Sequence, residues 1–142
     1  MSYLLDTCVL SELRKPTPDP NVTTWIERVD ESHLYLSVIA LGEIQKGIAK
    51  LDDSKKKHAL QLWLEQDLQE RFAGRMLKVD SSVALEWGVL QGSSGRSGNP
   101  VPVIDSLIAA TAICHNLTLV TRNTADFERM PVRLINPWLN VD

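Results

Sequence analysis

"PVPVIDSLIAATAICHN" (residues 100–116) is the most apolar run in the chain and carries a single carboxylate, Asp105. It reads as a buried helix, and the "LTLVT" that follows (117–121) has the apolar and β-branched character of a strand. An isolated ionised carboxylate is expensive to desolvate, so Asp105 needs partners, solvent or a metal. Its simplest role is as an N-cap, its oxygens taking the free N–H groups of the helix that follows. Whether that role suffices depends on where the other acids fall.

Working outward, the same alternation recurs. Strand-like runs are "SYLLD" (2–6), "HLYLSV" (33–38), "MLKV" (76–79), "LTLVT" (117–121) and "VRLIN" (132–136). Helix-like stretches lie between them: the short "TCVLSEL" (7–13), then "NVTTWIERV" (21–29) after the Pro-rich turn "KPTPDP". "IALGEIQKGIAKL" (39–51) sets Leu41, Ile44, Ile48 and Leu51 on one face. "DSKKKHALQLWLEQDLQERF" (53–72) carries a stripe of Leu60, Trp63, Leu64, Leu68 and Phe72, with Gly74 as its stop signal. "SSVALEWGVL" (81–90) groups Val83, Trp87 and Leu90 behind a cap at Asp80 or Ser81. Strands alternating with helices predict a three-layer α/β/α domain with a mostly parallel central sheet, one domain over residues 1–142. "GSSGRSGNP" (92–100) reads as a mobile loop.

Composition is that of an ordinary globular protein, 44% hydrophobic and 23% charged. No run reaches the ~18 apolar residues of a membrane span. "MSYLLDTCVLSELRK" has an acid at position 6 and no basic start, unlike a signal peptide. Cys8 and Cys114 form no C-x-x-C, so reduced thiols in a cytoplasm are expected. A net charge of −3 argues against a purely electrostatic nucleic-acid binder but leaves a nuclease open, because clustered acids lower the pI.

In open parallel sheets, ligands bind outside the carboxyl ends of the strands. Asp6 closes the first strand, Glu43 lies about a turn into the helix leaving the second, Asp105 opens the helix feeding the fourth, and Asp126 lies just past the fourth. Each has an ordinary explanation: Asp6 as cap of "TCVLSEL", Glu43 as a solvated helix residue, Asp126 as cap of "ADFERM". Separate ordinary roles do not explain why all four fall on one sheet edge. Acids sharing a site repel one another unless something positive joins them, and an all-oxygen set suits Mg²⁺ or Mn²⁺. Such ions hold a scissile phosphate and lower the pKa of an attacking water.

Other acid-based and phosphate-binding schemes fit poorly. Asp6-Thr7-Cys8 lacks the second Asp of a haloacid-dehalogenase phosphatase, and no Lys follows Lys78 to serve a receiver domain. "GEIQKGIAK" has Ile48 where a P-loop requires Lys, no G-x-S-x-G occurs, and His33, His58 and His115 are scattered.

The whole chain resembles the PIN-domain ribonuclease toxins of type II toxin–antitoxin pairs, particularly the FitB-like branch of the VapC group. The resemblance rests on "LLDTCVLSELRK", "LSVIALGEIQKGIAKL", "RFAGRMLKVD", "PVPVIDSLIAATA", "LVTRNTADF" and "LINPW", in the family's order from end to end. It implies a Mg²⁺- or Mn²⁺-dependent endoribonuclease whose metal-binding, catalytic acids are Asp6, Glu43, Asp105 and Asp126, supported by Thr7 and Asn123. One position departs from the pattern: Cys8 stands where the family commonly has Asn. The implied partners are an RNA substrate, a second copy in a homodimer and a cognate antitoxin that occludes the site and carries the DNA-binding part; neither direct DNA binding nor membrane association is expected. A silent PIN-like binding module and another metal-dependent phosphoesterase are the alternatives.

Arg14, Lys15, Arg96 and Arg122 fall near the expected site edge, as surface cations or RNA contacts. Lys55-Lys56-Lys57 reads as a helix start on the outer face, capped by Asp52 or Asp53. At least two of Trp25, Trp63, Trp87 and Trp138 are expected in the core.

Overall fold

Each strand alternates between two apolar environments, and this builds the layers. In a computed structural model describing residues 1–139, strands β1 (Tyr3–Leu5), β2 (Leu34–Ser37), β3 (Met76–Leu77), β4 (Thr118–Val120) and β5 (Leu134–Ile135) form one sheet. The order is β3-β2-β1-β4-β5, and every pair is parallel. Leu4 and Leu119 point to one face, where they are buried with Val83, Leu90, Ile108 and Phe127. Leu5 and Val120, one residue on, point to the other with Val9, Val22, Ile48, Leu64 and Phe72. Helices α6 (Ser81–Arg96) and α7 (Val103–Cys114) cover the first face. Helices α1 (Thr7–Arg14), α2 (Pro20–Arg28), α3 (Val38–Ala49), α4 (Lys55–Leu62) and α5 (Leu68–Arg71) contribute to the second. The expected three-layer architecture is present.

The strands are shorter than the apolar runs suggested, because their last residues turn into caps. Asp6 caps α1 and Ser37 caps α3, each accepting a backbone N–H of the helix it opens. The stretch expected as one helix over 53–72 contains a π-helical turn, Trp63–Asp67, between α4 and α5. Its stripe is core all the same, with Leu64, Leu68 and Phe72 buried and Leu60 and Trp63 packed against them. Gly74 ends it at φ +79°, a backbone angle that costs a glycine little. All four tryptophans are partly buried against the two cores.

Several local expectations are corrected. Leu51 lies past the end of α3 and is exposed. Ser54 caps α4, its Oγ accepting the Lys57 N–H at 3.1 Å, so neither Asp52 nor Asp53 holds that role. Residues 92–96, expected as loop, extend α6 to Arg96. Side-chain bonds hold that end: Gln91 Nε2 donates to the Val101 carbonyl at 2.9 Å and to Ser106 Oγ at 2.8 Å. Gly98, at φ +77°, then turns the chain, its N–H on the Gly95 carbonyl. Both cysteines are free thiols, and among the described residues no helix is long and apolar enough to cross a membrane.

On α1, Glu12 is only 6% exposed yet charged. Its Oε1 accepts Lys15 Nζ at 2.9 Å and Trp138 Nε1 at 3.3 Å, and its Oε2 accepts the Asp19 N–H at 3.0 Å. The Lys15 hydrogen bond, followed by the one from Asp19, holds this carboxyl below the usual glutamate range. Because the folded pKa is depressed, its stabilisation is complete above the unfolded value of about 4.3 and is lost as pH falls through the folded one. Thermal melts of wild type and Glu12→Gln over a pH series are expected to differ by several degrees at neutral pH and to converge in acid.

Candidate active site

The carboxyl ends of β1 and β4 lie side by side, and Asp6 sits between them with its N–H on the Val120 carbonyl at 3.0 Å. Its side chain, 9% exposed, is held from two elements. Oδ1 accepts the Thr7 N–H at 2.8 Å, and Oδ2 accepts the Thr121 hydroxyl at 2.8 Å. Asp6 therefore caps α1 as expected and is also fixed toward β4. Thr7 extends the network: its hydroxyl donates to Glu43 Oε1 at 2.8 Å, tying α1 to α3. Glu43 is half-buried, not a freely solvated helix residue.

Asp105 does not cap α7. Pro102 occupies the N-cap position with no side-chain hydrogen bond, and Asp105 lies inside the first turn. There its negative charge still suits the positive end of the helix dipole. Asp126 is likewise within its 3₁₀ turn, Thr124–Phe127, instead of capping it. Among the described residues, the side chains of Asp105 and Asp126 have no hydrogen-bond partner. Asn123 enters the network through its backbone, whose N–H donates to Thr121 Oγ1 at 3.0 Å.

Thr121 is the residue that sequence reasoning missed. It is fully buried, and its hydroxyl donates to Asp6 while accepting from Asn123, linking β1, β4 and the turn that carries Asp126. The available signal was a hydroxyl at the end of an otherwise apolar strand. Cys8 faces the same point, its Sγ 3.8 Å from Asp6 Oδ2 and 3.7 Å from Thr121 Oγ1. Burial pushes the Cys8 thiol up and the Asp6 carboxylate adds to that, so it is a neutral S–H at physiological pH.

The acids share one electrostatic neighbourhood. Partial burial raises the Asp105 carboxyl above the usual range, and repulsion from Asp126, Asp6 and Glu43 raises it further. Among the described residues, none of the four forms an ion pair with Lys, Arg or His. Nor are any three acidic, Cys or His side chains already drawn into a cluster of metal-ligating shape. The donors are all oxygen and lack a counter-charge, a chemistry that fits a hard divalent cation.

The cations expected at the edge have separate roles. Lys15 pairs with Glu12, Arg14 stacks over Trp63 at 5.3 Å, and Arg96 ends α6. Arg122 stacks over Trp138 at 5.4 Å. Of the histidines, His58 pairs with Asp53 on the exposed surface.

The PIN domain family model matches residues 3–132. This chain belongs to the PIN-domain family, in its VapC/FitB toxin group. It is 38% identical to toxin FitB of Neisseria gonorrhoeae over 95% of this chain and 97% of that protein. To a VapC ribonuclease of Sinorhizobium fredii it is 36% identical over 95% and 96%. The fold superposes on the crystal structure of FitAcB from Neisseria gonorrhoeae with a TM-score of 0.88, 38% identity and coverage of 96% and 98%. The structure of FitAB bound to a DNA fragment matches with a TM-score of 0.88 and 36% identity, covering 96% of each chain.

Thr121→Val keeps the shape but strands the Asn123 N–H and removes a donor from Asp6. It is expected to lower the unfolding free energy by about 1–3 kcal/mol, with Thr121→Ser recovering most of the loss in denaturant titrations.

Proposed function

We propose that this PIN domain, one domain over residues 1–142, is the toxin of a type II pair and a Mg²⁺- or Mn²⁺-dependent endoribonuclease. The observation that carries the reading is that Asp6, Glu43 and Asp126 all act on Asp105, with no cation among the described residues to offset them. The likeness to FitB and to a VapC ribonuclease supplies the reaction class.

In this reading Asp6, Asp105 and Asp126 hold the ion, and Glu43 completes its second position or orients the attacking water. A bound divalent ion supplies charge stabilisation of the phosphate and a more acidic water. The chain's own part is positional. Thr121 and the Thr7 N–H fix both oxygens of Asp6, so its orientation is set before substrate arrives. Thr7 Oγ1 donates to Glu43 Oε1 and leaves the other oxygen of Glu43 without a protein donor among the described residues. Asp105 and Asp126, with no protein partner among the described residues, keep their oxygens available. Cys8 offers a neutral thiol where the resemblance expects an amide, and the acid set is complete around it.

The solved relatives include FitAB bound to a DNA fragment. That likeness supports an antitoxin partner for this chain; in the reading proposed, the antitoxin covers the acid cleft and carries the DNA contact, in a cytoplasmic complex in which the toxin forms a homodimer.

Induced expression of wild type is expected to arrest growth and to create discrete new 5′ ends in total RNA, and Asp105→Asn to do neither. With purified protein, EDTA is expected to abolish cleavage of RNA, with DNA left intact. Asp105→Asn should lower the rate by about 100-fold or more, since even the outer partners of a metal site are worth about 10- to 100-fold. Soluble wild type that neither arrests growth nor cuts RNA would overturn the reading, and an active Asp105→Asn would overturn the site.

A further inference from the structure

An acid cleft on a chain of net charge −3 repels the polyanion it is proposed to cut, so a cation is needed at its rim. We propose that Arg122 is that cation: a phosphate-binding residue, held in place by Trp138, that grips the RNA backbone beside the scissile bond. This rests on the ribonuclease reading above.

The backbone of Arg122 is pinned at the cleft. It follows Thr121, whose hydroxyl holds Asp6, and precedes Asn123, whose N–H returns to that hydroxyl. The Arg122 side chain is exposed, and the guanidinium lies 5.4 Å from the centre of the Trp138 ring. That ring is a fixed platform. Trp138 Nε1 donates to Glu12 Oε1 at 3.3 Å, its N–H donates to Asn136 Oδ1 at 3.0 Å, and its carbonyl accepts Asn21 Nδ2 at 2.8 Å. These bonds hold the Trp138 ring, which packs against the core on one side and carries this guanidinium.

The stacking leaves the chemistry open. A guanidinium lying over a ring presents its N–H edge outward, in the fork that matches two phosphate oxygens. Arg71 and Arg75 spend theirs on Glu31, and Lys15 is taken by Glu12. Among the described residues, the Arg122 guanidinium has neither a carboxylate nor a carbonyl partner. Holding it on the ring also reduces the rotamer freedom lost on binding. Arg14 is stacked in the same way over Trp63, but it lines a different groove with Leu10, Asp67 and Arg71.

The test is fluorescence anisotropy of a short, mixed-sequence single-stranded RNA in a KCl series, in the non-cutting Asp105→Asn background and with EDTA so that KCl alone competes. Arg122→Gln is expected to weaken binding and to reduce the slope of log affinity against log salt by about 0.7, one phosphate contact. Arg122→Lys should keep the slope while binding more weakly, because the charge stays and the fork is lost. Trp138→Leu should weaken binding, with Trp138→Phe restoring most of it. Lys56→Gln, the same charge change on exposed α4, should leave the slope unchanged. An unaltered slope in Arg122→Gln overturns the proposal, whether affinity falls or not, and would mark Arg122 as a protein-facing or structural residue. Equal losses for Arg122→Gln and Lys56→Gln also overturn it, showing bulk charge alone. No binding of RNA at any salt by the parent protein also overturns the proposal, while the ribonuclease reading is decided separately by metal-dependent cleavage in wild type.

Discussion

Four carboxylates gathered at one sheet edge without a cationic partner among the described residues impose the constraint around which the rest of this fold is arranged. Burial, and after it repulsion from Asp126, Asp6 and Glu43, raises the Asp105 carboxyl above its usual range. The protein manages the repulsion by fixing some members and leaving others open. Asp6 is compensated by an N–H and a hydroxyl, and Glu43 by a hydroxyl, while Asp105 and Asp126 keep their oxygens free of protein donors. Neutral hydrogen bonds settle the geometry without cancelling the negative charge, which a structural salt bridge would have done. That pattern suits the proposed cation site better than a cluster built for stability.

The two-faced strands supply the precision. Because β1 and β4 are neighbours and in register, Asp6 and Thr121 emerge beside each other, and a one-residue slip would send one of them into an apolar layer. The support continues outward through the tail. Glu12, buried in α1, takes the indole N–H of Trp138, and Trp138 in turn carries Arg122 beside Thr121. Glu12, Trp138, Arg122 and Thr121 are thus joined by one chain of contacts and sequence neighbours from α1 to the cleft.

Much of this was legible in the sequence. Each strand was marked by a short apolar run, and the rule that ligands meet the carboxyl ends of parallel strands placed Asp6, Glu43, Asp105 and Asp126 on one edge. The stripe from Leu60 to Phe72 was core, as its spacing implied. What sequence misread depended on contacts made at a distance. Gly and Ser at 92–96 have loop propensity, but Gln91 reaches Val101 and Ser106 and holds the helix through them. Asp105 resembled a cap until Pro102 proved to occupy that position, and Ser54 displaced two nearby aspartates from theirs. Thr121 was invisible because its role exists only when β1 and β4 are adjacent.

The central claim is that these four acids form one cation site, and melting temperature with and without Mn²⁺ tests it most directly, on wild type and Asp105→Asn together. An acid with a raised folded pKa costs stability progressively as pH rises above its unfolded value of about 3.9, so in EDTA at neutral pH the variant is expected to melt above wild type. Added Mn²⁺ should then reverse the order, raising wild type in proportion to the logarithm of its concentration and the variant much less. A wild type that Mn²⁺ leaves unmoved, or a variant that gains as much as wild type does, would contradict the account.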